Sequence, residues 1–140
     1  MAVLNRFLEA QRTTYDRARD ELRAGCKRSH WMWYVFPQLA GLGFSATSQH
    51  YGISGLDEAK AYLAHPVLGA RLLECVDTLL ALPATLSASD IFGYPDDLKL
   101  RSCATLFAIA SGPGSPFERL LDRFYDGARD ERTVTLLEHG

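Results

Sequence analysis

Residues 29–56 read SHWMWYVFPQLAGLGFSATSQHYGISGL and contain no Asp, Glu, Lys or Arg. In a chain that is 23% charged, 28 consecutive uncharged positions constrain the fold more than any other feature. The run holds both tryptophans, two tyrosines, two phenylalanines and two of the four histidines. That much ring surface has to be withdrawn from water, and a buried indole N–H then needs a partner. A membrane-crossing helix is not the solution, because Pro37, Gln38, Gly41, Gly43, Gln49, His50, Gly52 and Gly55 interrupt the apolar content. What remains is a buried wall with polar tips: rings for packing or stacking, amides and imidazoles for directed hydrogen bonds. Such a wall suggests a site without naming its substrate.

The charges elsewhere are balanced, 15 basic against 17 acidic for a net charge of −2. That leaves no electrostatic footprint for a nucleic acid or an anionic membrane, so neither is expected as a partner. The N-terminal segment is locally basic, but Glu9, Asp16, Asp20 and Glu21 are interspersed with its arginines, the pattern of a solvated helix face. Three cysteines, Cys26, Cys75 and Cys103, lie far apart and form neither a ligand pair nor a disulfide framework. A reducing, cytoplasmic setting is expected, with no metal and no cofactor.

Periodicity divides most of the chain into helices. Leu4, Phe7, Leu8, Tyr15, Ala18 and Leu22 recur at helical spacing, predicting one long or two abutting helices over 4–24, ended by Gly25. WMWYVF suits a short strand and a buried helical turn equally, and six residues do not decide between them. Phe36 precedes Pro37, which asks for extended backbone, and the glycines after it predict loop as far as Ser48. Ser54 with Asp57 and Glu58 predicts a capped helix to about residue 64; His65-Pro66 ends it and opens the next, 67–82, which stops at Pro83. Further starts are predicted at Ser87, at Pro95-Asp96-Asp97, and at Ser115-Pro116 with Glu118, and Asp130 is expected to cap a last short helix. No hairpin pattern appears. The expected fold is mainly α, a single compact domain over residues 1–140, with at most a short strand near residues 29–36.

Several chemistries find no support. GLGFSA matches G-x-G-x-x-A, but the acid required about 20 residues on, within a βαβ unit, is missing. No carboxylate or thiol sits at ligand spacing from a pair among His30, His50 and His65. There is no G-x-S-x-G elbow, and no cysteine sits in a recognisable cysteine-hydrolase pattern with a histidine to activate it.

At SHWMWYVFPQ, GLGFS, HPVLGARL, DDLKLRSCATLF and DERTVTLL the chain resembles the bacterial domain-of-unknown-function family 1810 over nearly its whole length. That resemblance implies a mainly α fold and no established activity. More distantly, TSQHYGISGLDEAKAYL, HPVLGARL, DDLKLRSCATLF and PFERLLDRF are similar in order and spacing to the NADAR family, which is linked to NAD and ADP-ribose metabolism and cleaves N-glycosidic bonds to ribose. In that family the segment matching residues 47–51 carries a glutamate where this chain has Gln49. A neutral amide neither stabilises positive charge on the ribosyl carbon nor activates water well. The likeness therefore implies a shared pocket and argues against strong activity through that position. An active protein would need another acid, and Asp130 and Asp96 are the candidates.

The leading expectation is a nucleotide-like ligand, ADP-ribose or an NAD-derived relative, with weak N-glycosidase activity alongside. Trp33, Phe36 and Tyr51 offer ring surface, His30, Gln38 and Gln49 directed polar groups, and Gly43 close backbone approach, while Arg71 and Lys99 offer charge for phosphate. The alternative is a non-catalytic interaction or structural module in which the aromatic run is plain core. A hollow at Trp33, Gln38 and Gln49 favours the first; a filled core there favours the second.

Overall fold

The computed structural model describes residues 4–139 and is mainly helical, with ten helices and no strand among those residues. The N-terminal pattern resolves as two abutting helices, α1 (Asn5–Arg12) and α2 (Tyr15–Arg23), and Gly25 ends the second at φ 72°. WMWYVF becomes a single helical turn, α3 (Met32–Val35), so there is no strand near residues 29–36. The glycine-rich stretch is loop only to Ser45, whose hydroxyl accepts from the Ser48 N–H and starts α4 (Ala46–His50). Then come α5 (Leu56–Ala64), α6 (Leu68–Leu80), α7 (Ala88–Phe92), α8 (Asp96–Ser111), α9 (Pro116–Tyr125) and α10 (Glu131–His139).

The helix starts follow local chemistry. Ser87 and Asp90 form a reciprocal capping box, Ser115 accepts from the Glu118 N–H, and Asp130 Oδ2 accepts from the Thr133 N–H at 3.0 Å. At α5 only half of the predicted box forms: Glu58 reaches back to the Ser54 N–H, while the serine hydroxyl caps nothing. His65 Nδ1 accepts from the N–H groups of Val67 and Leu68 and so opens α6.

The axis of the molecule is α8. Leu100 and every residue from Ser102 to Ala108 are buried, because α5, α7, α9 and α10 pack around it. Small side chains at Ser102, Cys103, Ala104 and Ala108 let those neighbours come close. α6 packs on α2, α5 and α9, and α3 on α1. One contiguous cluster of buried side chains runs from Leu4 to Leu121.

The uncharged run is fastened at both ends. Near its start, the Glu21 carboxylate accepts from the Arg28 N–H, the Ser29 N–H and hydroxyl, and Trp31 Nε1, all within 3.0 Å. Burial pushes the Glu21 carboxyl up, but these four hydrogen bonds outweigh it and bring the group down to about 2. Trp31 can therefore lie 1% exposed with its N–H satisfied. Further on, Leu39 and Ile53 make an isolated parallel bridge; the Ile53 N–H donates to the Gln38 carbonyl and the Ala40 N–H to the Ile53 carbonyl, both at 2.8 Å. Gly52 permits this closure, since a Cβ there would lie 2.8 Å from Ala40 Cα.

Candidate functional site

Two adjoining hollows open beside α3 and the start of α8. One, of about 400 Å³, is lined by Trp33, Gln38, Leu42, Tyr94, Leu98, Lys99, Ser102, Asp130 and Arg132, among others. The other, of about 270 Å³, is lined by Lys27, His30, Trp33, Thr47, Asp96 and Lys99, among others. They share Trp33 and Lys99, which form one unit: Lys99 Nζ sits 4.3 Å from the Trp33 ring centroid, a cation–π contact.

Each wall has a local cause. The Leu39–Ile53 bridge holds the Gln38 backbone, and its side chain is buried, 5% exposed, with Nε2 unpartnered. Positions 95, 98, 99 and 102 follow helical spacing, so the N-cap Pro95 and the N-terminal part of α8 present Pro95, Leu98, Lys99 and Ser102 to the larger hollow. Asp130 is set by α8 as well. Its N–H donates to Thr105 Oγ1 at 2.9 Å, and Arg101 holds the preceding carbonyls of Ala128 and Arg129. Asp130 Oδ2 is engaged by Thr133, and Oδ1 has no hydrogen-bond partner among the described residues. Arg132 reaches the Leu42 and Gly41 carbonyls, tying the glycine loop to α10.

Asp96 is placed differently from Asp130. Its carboxylate is shared by Lys27 Nζ at 2.7 Å and Lys99 Nζ at 3.1 Å. Burial pushes the carboxyl up, but the two lysines prevail and hold it below the usual range. A carboxyl kept ionised in this way is a poor proton donor near neutral pH.

The structure thus brings His30, Trp33, Gln38, Lys99, Asp96 and Asp130 to the paired hollows. Gly43 lies just behind them, where a Cβ would come 2.8 Å from Ser48 Oγ and 3.4 Å from Trp33 Cη2. Four further residues singled out from the sequence also line neither hollow. Phe36 is wholly buried, packed on Trp31 and Phe92. Gln49 is exposed on α4 and donates to the Phe44 carbonyl at 3.3 Å. Tyr51 stacks among Phe7, Tyr34 and His50. Arg71 lies over the Tyr15 ring and donates to Gln11 Oε1, within a polar network joining α1, α2 and α6. Lys27, Tyr94, Leu98, Ser102 and Arg132 line the hollows without having been singled out; for the α8 residues the signal was the helical spacing itself. A third hollow, of about 530 Å³, lies between the start of α5 and α10, floored by Leu39, Leu56, Leu136 and Leu137. No group of His, Cys, Asp and Glu among the described residues is arranged to hold a metal ion.

The family described as "Protein of unknown function (DUF1810)" matches residues 1–137. The chain belongs to this family. Among solved structures, this DUF1810 chain is 52% identical to the conserved hypothetical protein Rv1873 from Mycobacterium tuberculosis, whose crystal structure was determined at 1.38 Å. The match covers 96% of each chain with a TM-score of 0.94. No curated protein matches the DUF1810 chain. No helix among its described residues is long and apolar enough to cross a membrane.

Proposed function

We propose that the chain binds a nucleotide-like ligand, ADP-ribose or another NAD-derived molecule, with a ring-bearing end in the Gln38 hollow. The observation that carries this reading is the Gln38 amide, buried with Nε2 unpartnered. A buried donor left unpaired costs about 1–3 kcal/mol. Nε2 itself is closed off from solvent, and a turn of the amide toward the hollow that Gln38 lines brings it to a ring nitrogen, carbonyl or hydroxyl of a ligand and removes that cost. Around it, Trp33 and Tyr94 supply ring faces, Ser102 a hydroxyl, Lys99 a charge and Asp130 a carboxylate. An apolar wall with a few convergent polar groups is the usual composition of a small-molecule site. The distant NADAR likeness points to the same ligand class, and the balanced charge and scattered cysteines fit a cytoplasmic setting.

Weak N-glycoside cleavage, where it accompanies binding, falls to Asp130. Gln49 lies outside the hollow and Asp96 is held by two lysines, whereas Asp130 offers a carboxylate oxygen for charge developing on the ribosyl carbon or for an attacking water. The test is calorimetric titration of ADP-ribose, with ADP-ribose release from ADP-ribosylated guanosine measured alongside. Asp130→Asn keeps a capping side chain for α10 and removes the charge, so it is expected to fold and to abolish release. Absence of saturable ADP-ribose binding at millimolar concentration defeats the ligand reading. An interaction module then takes its place, a reading favoured by the exposed apolar side chains of Phe44 (86%), Tyr94 (80%) and Leu98 (45%).

A further inference from the structure

The Lys27 hollow has no part in the ring-binding role assigned to its neighbour, yet its charges are unusual for a chain of net charge −2. Two ammonium groups, Lys27 and Lys99, line it with the His30 imidazole, against one carboxylate, Asp96. The Lys27 side chain is 7% exposed; besides Asp96 it donates to the Ser29 carbonyl at 2.6 Å and lies 5.0 Å from the Trp31 ring centroid. One carboxylate divided between two cations leaves a positive charge uncompensated in a partly desolvated place, where an anion is favoured. Thr47 adds a hydroxyl to the same wall, and about 270 Å³ has room for a phosphate or a diphosphate. Because both hollows share Trp33 and Lys99, a molecule lying over that pair can place one end in each.

We infer that the Lys27 hollow is a phosphate subsite, so that the ligand is a phosphorylated one, its phosphate or diphosphate against Lys27 and Lys99 and its ring-bearing end in the Gln38 hollow. The second half of this inference rests on the ligand reading of the Gln38 hollow; the first half stands by itself. A bare structural salt bridge and a phosphate subsite differ in the wild-type protein, since loss of Asp96 bares two cations in either case. In a subsite wild type already holds pyrophosphate, and Asp96→Asn strengthens that binding because the carboxylate competes with the incoming anion. In a bare salt bridge wild type holds none, and Asp96→Asn is the less stable for two packed cations.

The experiment titrates inorganic pyrophosphate, adenosine and ADP-ribose separately, at low ionic strength, into wild type, Asp96→Asn, Lys99→Gln and Lys99→Arg, with the fold of each checked by circular dichroism. Pyrophosphate affinity is expected to rise by roughly tenfold in Asp96→Asn, to fall by about as much in Lys99→Gln, and to be largely kept in Lys99→Arg. ADP-ribose should bind more tightly than adenosine, and Lys99→Gln should narrow the gap. Failure of pyrophosphate to bind wild type at millimolar concentration overturns the subsite, whatever Asp96→Asn does. Adenosine binding as tightly as ADP-ribose overturns the two-ended ligand and leaves the ligand reading intact. Failure of adenosine and ADP-ribose together removes that reading, and the pyrophosphate titration then decides the subsite alone.

Discussion

Replacing Gln38 by methionine separates what the residue does for the fold from what it does for a ligand. The side chain is 5% exposed, and Nε2 has no partner to offset its lost hydration. Methionine has nearly the same length and shape but no donor, so it fills the space with thioether and removes the unpaired group. The orphan donor costs about 1–3 kcal/mol. Part of that is returned as slightly imperfect packing, leaving a net stabilisation of about 1–2 kcal/mol. For a chain of this length that corresponds to a rise of roughly 3–6 °C in Tm. On the proposed ligand reading, affinity moves the other way, because the variant has no amide to offer the ligand's acceptor; a loss of about tenfold or more is expected. Urea unfolding and thermal melts of the ligand-free protein give the first quantity, and ADP-ribose titration gives the second. A Gln38→Met protein less stable than wild type by 1 kcal/mol or more, a threshold within the usual range for one hydrogen bond, would refute the reasoning. It would mean that the amide is hydrogen-bonded in the free protein and is not poised for a ligand.

Two further outcomes follow from the fold. Glu21→Gln keeps the shape of the anchor for Arg28, Ser29 and Trp31 but removes its charge. A carboxyl lowered from 4.5 to about 2 represents at most about 3 kcal/mol, which solvent contact reduces to about 1–2. Because the folded group is depressed, this stability is fully present above about pH 4.5 and is lost as pH falls toward 2. Wild type and variant should therefore differ most at neutral pH and converge below pH 4.5, and urea midpoints that stay parallel from pH 7 to pH 3 would argue against the anchor. Gly69→Ala should cost about 2–3 kcal/mol or more, since its Cβ would come 2.1 Å from the Leu63 carbonyl oxygen where α5 turns into α6. An unchanged melting curve for that variant would show that the turn yields freely.

The helices were legible because their starts are written in chemistry within a few residues of one another. Ser87 with Asp90, Ser115 with Pro116 and Glu118, and Asp130 with Thr133 each satisfy N–H groups that a helix leaves unpaired, whatever the rest of the chain does. The α character follows from such signals, and the uncharged run announced a wall of rings. Which rings face inward was not local information. Six residues of WMWYVF fit a strand or a helical turn, and the decision fell to packing on α1 and to Glu21, whose carboxylate satisfies the Trp31 N–H from another helix. The site was less legible still. Gln49 and Gln38 are both amides in one uncharged run, yet the Leu39–Ile53 bridge holds Gln38 inside while Gln49 turns outward on α4. Gln38, Lys99 and Asp130 come from distant segments and meet because α8 carries Lys99 on its surface and holds the Asp130 backbone through Thr105. Sequence spacing encodes helix faces and caps, which depend on neighbours along the chain; it does not encode which caps and faces meet across a core, and at this site that meeting is decided by what packs around α8.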